Sequence, residues 1–161
     1  MKVGKLTDGQ GGDHYESNDS NSRMFAHSAA SYWDIASRIN DTTQSDFDLW
    51  SFMHVGVPVM HMAVELIVKA VVAISDDKFV AASDGHNTAK IISDHTAIRV
   101  LGVINANKNK MELIGQLRKA WIDLRYAEGT LQYEQGDKKA FDEIMGSLTE
   151  EFKKLSGLKT L

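Results

Sequence analysis

The stretch "HMAVELIVKAVV", His61 to Val72, decides the fold. Three ionisable residues, His61, Glu65 and Lys69, interrupt it at intervals of four; every other position is apolar. Residues four apart share one face of an α-helix, so the three form a polar seam on an otherwise apolar cylinder. A helix apolar nearly all round is buried on most sides, and it needs other helices or a sheet around it. Pro58 removes a backbone donor and suits a first turn, which places the helix start, or a kink, there and its end near Ser75. His54 joins the seam only if the helix runs unbroken through Pro58.

The flanking sequence supplies helices. "SRMFAHSAASYWDIASRI" has Ser22 as a candidate N-cap and Phe25, Ala29, Tyr32, Trp33, Ala36 and Ile39 on one face. "MELIGQLRKAWIDLRYA" aligns Met111, Ile114, Leu117, Trp121 and Leu124. "DKKAFDEIMGSLTEEFKKL" aligns Phe141, Ile144, Met145, Leu148, Phe152 and Leu155, with Gly157 as its stop. Between them, Ser83 or Asp84 is suited to cap a short helix from about His86. "AIRVLGVI" is rich in β-branched residues but has no evident partner strand, so it too reads as helix. The expected fold is all-α: an up-and-down four-helix bundle with one or two extra short helices.

Residues 1–22 hold mostly Gly, Asp, Asn and Ser with little to bury, and read as a flexible tail before a single domain over 23–161. The 161 residues, 43% hydrophobic and 25% charged, suit one globular domain with a real core. A net charge of −4 gives no bulk reason to expect DNA or RNA affinity. Without cysteine there is neither a disulfide framework nor a thiolate metal site. No run reaches the roughly 18 consecutive apolar residues of a membrane span, and the N-terminus lacks a secretion signal's apolar core, so the expectation is a cytoplasmic protein with no membrane partner.

Glu65 lies on the buried face, and a buried carboxylate requires a hydrogen-bonded partner. Arg118 and Arg125 project into the apolar arc of their own helix, and the planar guanidinium fork suits a carboxylate. The expectation is a structural ion pair, Glu65 with Arg125 or with Arg118, while Lys69 snorkels towards the bundle end. The competing reading is a ligand-binding seam. His61 and Glu65 are half a metal site at best, and neither HExxH, Glu-x-x-His pairs nor an EF-hand loop is present, so no metal and no cofactor is expected. His86 beside Gly85 reads as a capping or loop residue. There is no nucleophile elbow, Walker loop or dinucleotide fingerprint, and the "GQGG" of the tail follows no strand. Lys108, Lys110, Arg118, Lys119 and Arg125 read first as a solvated helix face; the alternative is a phosphate-contacting surface with Trp121 and Tyr126 for stacking.

Taken in order, "AVELIVKAVVAI", "GHNTAKIISD" and "LRKAWIDLRYAEG" resemble the HEPN family (higher eukaryotes and prokaryotes nucleotide-binding) over about residues 24–156. Ala63, Glu65, Lys69 and Ala70 match its Ala-x-Glu-x-x-x-Lys-Ala helix, His86 the histidine that opens the next helix, and Arg125 with Tyr126 the Arg-Tyr pair. The resemblance implies a helical bundle, commonly a homodimer, in proteins that include ribonuclease toxins of defence and toxin–antitoxin systems, nucleotidyltransferase partners, and non-catalytic nucleotide or RNA sensors. The ribonuclease members carry Arg-x(4–6)-His late in the domain. None of Arg23, Arg38, Arg99, Arg118 and Arg125 has a histidine at that spacing, and His95 precedes both late arginines. The expectation is therefore a binding module without catalytic residues, with Arg118, Arg125, Tyr126, His61, Lys69 and His86 at any ligand groove. Its partner is a nucleotide, an RNA or a protein such as a nucleotidyltransferase. The alternatives are a degenerate ribonuclease using His86 or His61 with Arg125, and a purely structural oligomerisation or regulatory bundle.

Overall fold

The computed structural model describes residues 6–7, 13–14, 18–41, 55–81, 85–125 and 135–161. Six helices are described: α1 (Asn18–Asp41), α2 (Val57–Ser75), α3 (Thr88–Asp94), α4 (Arg99–Ala106), α5 (Lys108–Arg125) and α6 (Gln135–Ser156). The protein is an all-α helical bundle of four long helices with α3 and α4 as short additions. A two-residue antiparallel ladder, Leu6 opposite His14 and Thr7 opposite Asp13, precedes them.

The apolar helix α2 is the axis of the bundle. Thirteen of its 19 residues are buried, and α1, α3, α5 and α6 all pack on it, most extensively α1. Its length and composition would also span a membrane, but 72% of the apolar window is buried inside the bundle, so that surface is used as core. Pro58 sits in its first turn, where the missing N–H costs no helical hydrogen bond. The helices packed on α2 bring Ala26, Ala29 and Ala36 of α1, Ile114 and Leu117 of α5, and Phe141, Ile144, Leu148 and Phe152 of α6 into the same buried core. Each large apolar side chain so buried contributes about 1.5–3 kcal/mol.

One boundary and two side-chain orientations differ from the sequence reading. Helix α1 starts at Asn18, so Ser22 is no cap but a residue of the helix, fully buried. Tyr32 and Leu155 turn outwards although they share their helices' apolar stripes, because the buried arcs are narrower than those stripes.

The link from α3 to α5 is built by one asparagine and a close approach. Asn107 takes the C-cap of α4, its N–H donating to the Ile104 carbonyl, and its side chain accepts the Lys110 N–H of α5. Gly102 of α4 lies so near the Thr96 carbonyl oxygen that a Cβ would stand 2.7 Å from it, so glycine is what lets the turn fold back. Gly157, at φ +70°, ends α6 where the sequence placed its stop.

Candidate functional site

The polar seam of α2 is buried as a unit: His61 and Glu65 are each 1% exposed and Lys69 7%. Lys69 Nζ donates to Glu65 Oε1 at 2.5 Å and to the Gly85 carbonyl at 3.0 Å. His86 Nδ1 lies 3.1 Å and 3.0 Å from the two oxygens of the same carboxylate. His61 Nε2 approaches Glu65 Oε2 at 3.4 Å without the alignment of a hydrogen bond. One carboxylate therefore joins its own helix to the loop that opens α3.

That loop is specified residue by residue. Gly85 adopts φ +56°, a left-handed conformation that costs a residue with a side chain about 1–2 kcal/mol, and so turns its carbonyl to Lys69. His86 then reaches Glu65, and Asn87 caps α3 by accepting the Lys90 N–H at 3.2 Å. The cap is thus Asn87, and α3 begins at Thr88; Ser83 and Asp84 lie outside the described residues.

Burial alone would raise the Glu65 carboxyl, but the contacts from His61 and Lys69, the Lys69 charge and the His86 bond together bring it down to about 2. Glu65 is ionised at any ordinary pH. An ionised carboxylate only accepts, so His86 Nδ1 donates in this contact and Nε2 is the ring nitrogen directed away from Glu65. The His86 side chain is 50% exposed, and Nε2 has no partner among the described residues.

Trp121 of α5 lies beside both histidines, its ring centroid 5.2 Å from that of His61 and 4.6 Å from that of His86. One turn earlier on α5, Arg118 is half-buried, and its Nε is buried without a hydrogen-bond partner among the described residues. The expected Glu65–Arg118 pair does not form, because Lys69 reaches the carboxylate from one turn away on the same helix. Nor does Lys69 snorkel outwards; its two acceptors hold it inside. The side chain of Arg125, and all of His54 and Tyr126, lie outside the described residues.

The structure thus brings together His61, Glu65, Lys69, His86 and Trp121 from α2, the α3 loop and α5. The basic residues of α5 are dispersed: Lys108 faces Glu112 at 3.6 Å and Lys110 faces Glu143 at 3.3 Å, as on a solvated helix face. His95 has a local role, its Nδ1–H donating to the Ile91 carbonyl at 2.8 Å and its ring meeting Phe79 edge-on. The role of the Gly85 carbonyl escaped the sequence because a carbonyl has no residue identity; the left-handed glycine before His86 was its only trace. Among the described residues no group of three or more His, Cys, Asp or Glu is arranged to hold a metal ion.

The chain matches no family model, no curated protein and no solved structure.

Proposed function

We propose that this chain is a HEPN-like binding module without catalytic machinery, whose ligand is a nucleotide or a single-stranded RNA. The observation that supports this is the half-exposed imidazole of His86 beside the indole of Trp121, on whose helix the half-buried Arg118 lies one turn earlier. Rings of this kind stack on nucleobases, and a guanidinium pairs with phosphate in bidentate fashion. Glu65, by contrast, is engaged from within by Lys69 and His86, as expected of a structural tie that holds the His86 loop in place. The HEPN resemblance extends the proposal to a cytoplasmic homodimer in a defence or toxin–antitoxin type system, with a nucleotidyltransferase-type protein as a further partner.

The test is calorimetric titration with adenine nucleotides and short single-stranded RNAs. Arg118→Ala should weaken binding at least tenfold and flatten its salt dependence, with the melting temperature little changed. Equal affinity in Arg118→Ala and the parent would refute the assignment of this face.

A second reading, the degenerate ribonuclease, draws support from one observation. A buried carboxylate accepts from His86 Nδ1 and orients the ring with Nε2 turned away from Glu65, the orientation a histidine general base needs. Cleavage of an RNA oligomer that disappears in His86→Gln, and with a 2′-deoxy substrate, would favour it over pure binding.

A further inference from the structure

Away from the His86 face, α1 and α6 leave an open groove between them with a volume of about 410 Å³. Its apolar surface includes Trp33 and Met145, and Ala30 and Gly146 keep the facing walls low. Three carboxylates line it, Asp34 on α1 with Asp142 and Glu150 on α6, against one ammonium, Lys153. Asp142 and Glu150 are eight residues apart, about 12 Å along the helix. That is the spacing of cations placed two turns apart on a second helix.

Gly146 gives the second line of argument. It lies inside α6, where glycine destabilises a helix by roughly 0.5–1 kcal/mol relative to alanine. Nothing lies within 4 Å of where its Cβ would stand, so no contact within the described structure requires the absence of a side chain. A closely approaching backbone would require it. The carboxylates are matched for now by cations on their own helices: exposed Arg38 to Asp34 at 2.9 Å, and half-buried Lys138 to Asp142 at 3.5 Å and Lys153 to Glu150 at 3.1 Å. Surface pairs of this kind contribute about 0–1 kcal/mol each, so an incoming cation can replace them.

We propose that the α1–α6 groove receives one cationic amphipathic helix from a partner protein. The helix sets its apolar face on Trp33 and Met145 and its Lys or Arg residues against Asp34, Asp142 and Glu150, with its backbone closest at Gly146. This is the helix-in-groove mode of recognition, in which apolar anchors give affinity and flanking charges give orientation. The groove is independent of the nucleotide-binding proposal, and either can fail without the other.

The test is an amide NMR titration of the full chain with a 16-residue Leu/Ala helix bearing Lys on its flanks, beside the same peptide with Glu for Lys. The Lys peptide should bind with shifts confined to residues 30–37 of α1 and 142–153 of α6, and the Glu peptide at least tenfold more weakly. Gly146→Gln, which meets open space in the free protein, should keep or raise the melting temperature and weaken the Lys peptide at least tenfold. Equal binding of both peptides, shifts centred elsewhere, no binding at millimolar peptide, or unchanged affinity in Gly146→Gln would each overturn the proposal. So would self-association of the chain that broadens the same resonances, since a second copy would then be the occupant.

Discussion

Replacing Glu65 by glutamine keeps the shape of the side chain and removes its charge. Lys69, 7% exposed, is then left with the Gly85 carbonyl and a neutral amide as its acceptors. Breaking a buried ion pair from one side costs about 3–5 kcal/mol, because the remaining charge stays buried. The carboxyl itself points to a similar size. A fall from 4.5 to about 2 is linked to roughly 3 kcal/mol of folding free energy. At about 2–4 °C per kcal/mol for a domain of this length, Glu65→Gln should melt about 10 °C below the parent at pH 7. The sign with pH follows from the depressed value. The carboxylate's stabilisation is complete above the unfolded-state value near 4.5 and is lost as pH falls through the folded value near 2. Urea titrations of parent and variant between pH 7 and pH 2.5 should therefore show a constant gap down to about pH 5, narrowing below it. A gap under about 1 kcal/mol at pH 7, or one that stays constant into acid, would refute the reading of Glu65 as a charged tie. The double variant Glu65→Leu with Lys69→Met should recover much of the loss, since two apolar residues leave no orphaned charge.

Three further outcomes are expected of the loops and caps. Gly102→Ala should destabilise the protein by about 1–3 kcal/mol despite alanine's helix propensity, since its Cβ would meet the Thr96 carbonyl oxygen at 2.7 Å; a melting curve at or above the parent's would contradict that close approach. Gly85→Ala meets no neighbour but must hold φ +56°, so urea denaturation should show a loss of about 1–2 kcal/mol with no change in slope. Asn87→Ala should cost about 1 kcal/mol by removing the cap on α3, and hydrogen exchange should quicken at the Lys90 amide, the donor that loses its acceptor.

The helices were legible because their evidence is periodic and local. Phe141, Ile144, Leu148 and Phe152 repeat at the helical interval, and each is buried. "AIRVLGVI" shows the limit of propensity: Val100, Val103 and Ile104 favour strands in isolation, yet the segment is the helix α4, because Leu101 and Ile104 find a helical core to pack into. The cap on α3 was misplaced because Ser83, Asp84 and Asn87 are all competent caps by residue type, and only the left-handed turn at Gly85 singles out Asn87.

For the candidate site, the seam of His61, Glu65 and Lys69 was already in the sequence, since a spacing of four on an apolar helix has one geometric meaning. Its partners were not. The sequence suggested Arg125 or Arg118 of α5, on the argument that a buried carboxylate seeks a guanidinium; Arg118 is not the partner, and the Arg125 side chain lies outside the described residues. The folded chain satisfies Glu65 with the lysine one turn away and with His86, whose imidazole the Gly85 turn brings across 21 residues of sequence. Periodicity along one helix determines which side chains go inside; it carries no information on which loop arrives opposite them. That choice belongs to the packing of α3 and α5 on α2. The same packing sets His86 beside Trp121, the contact on which the proposed function rests.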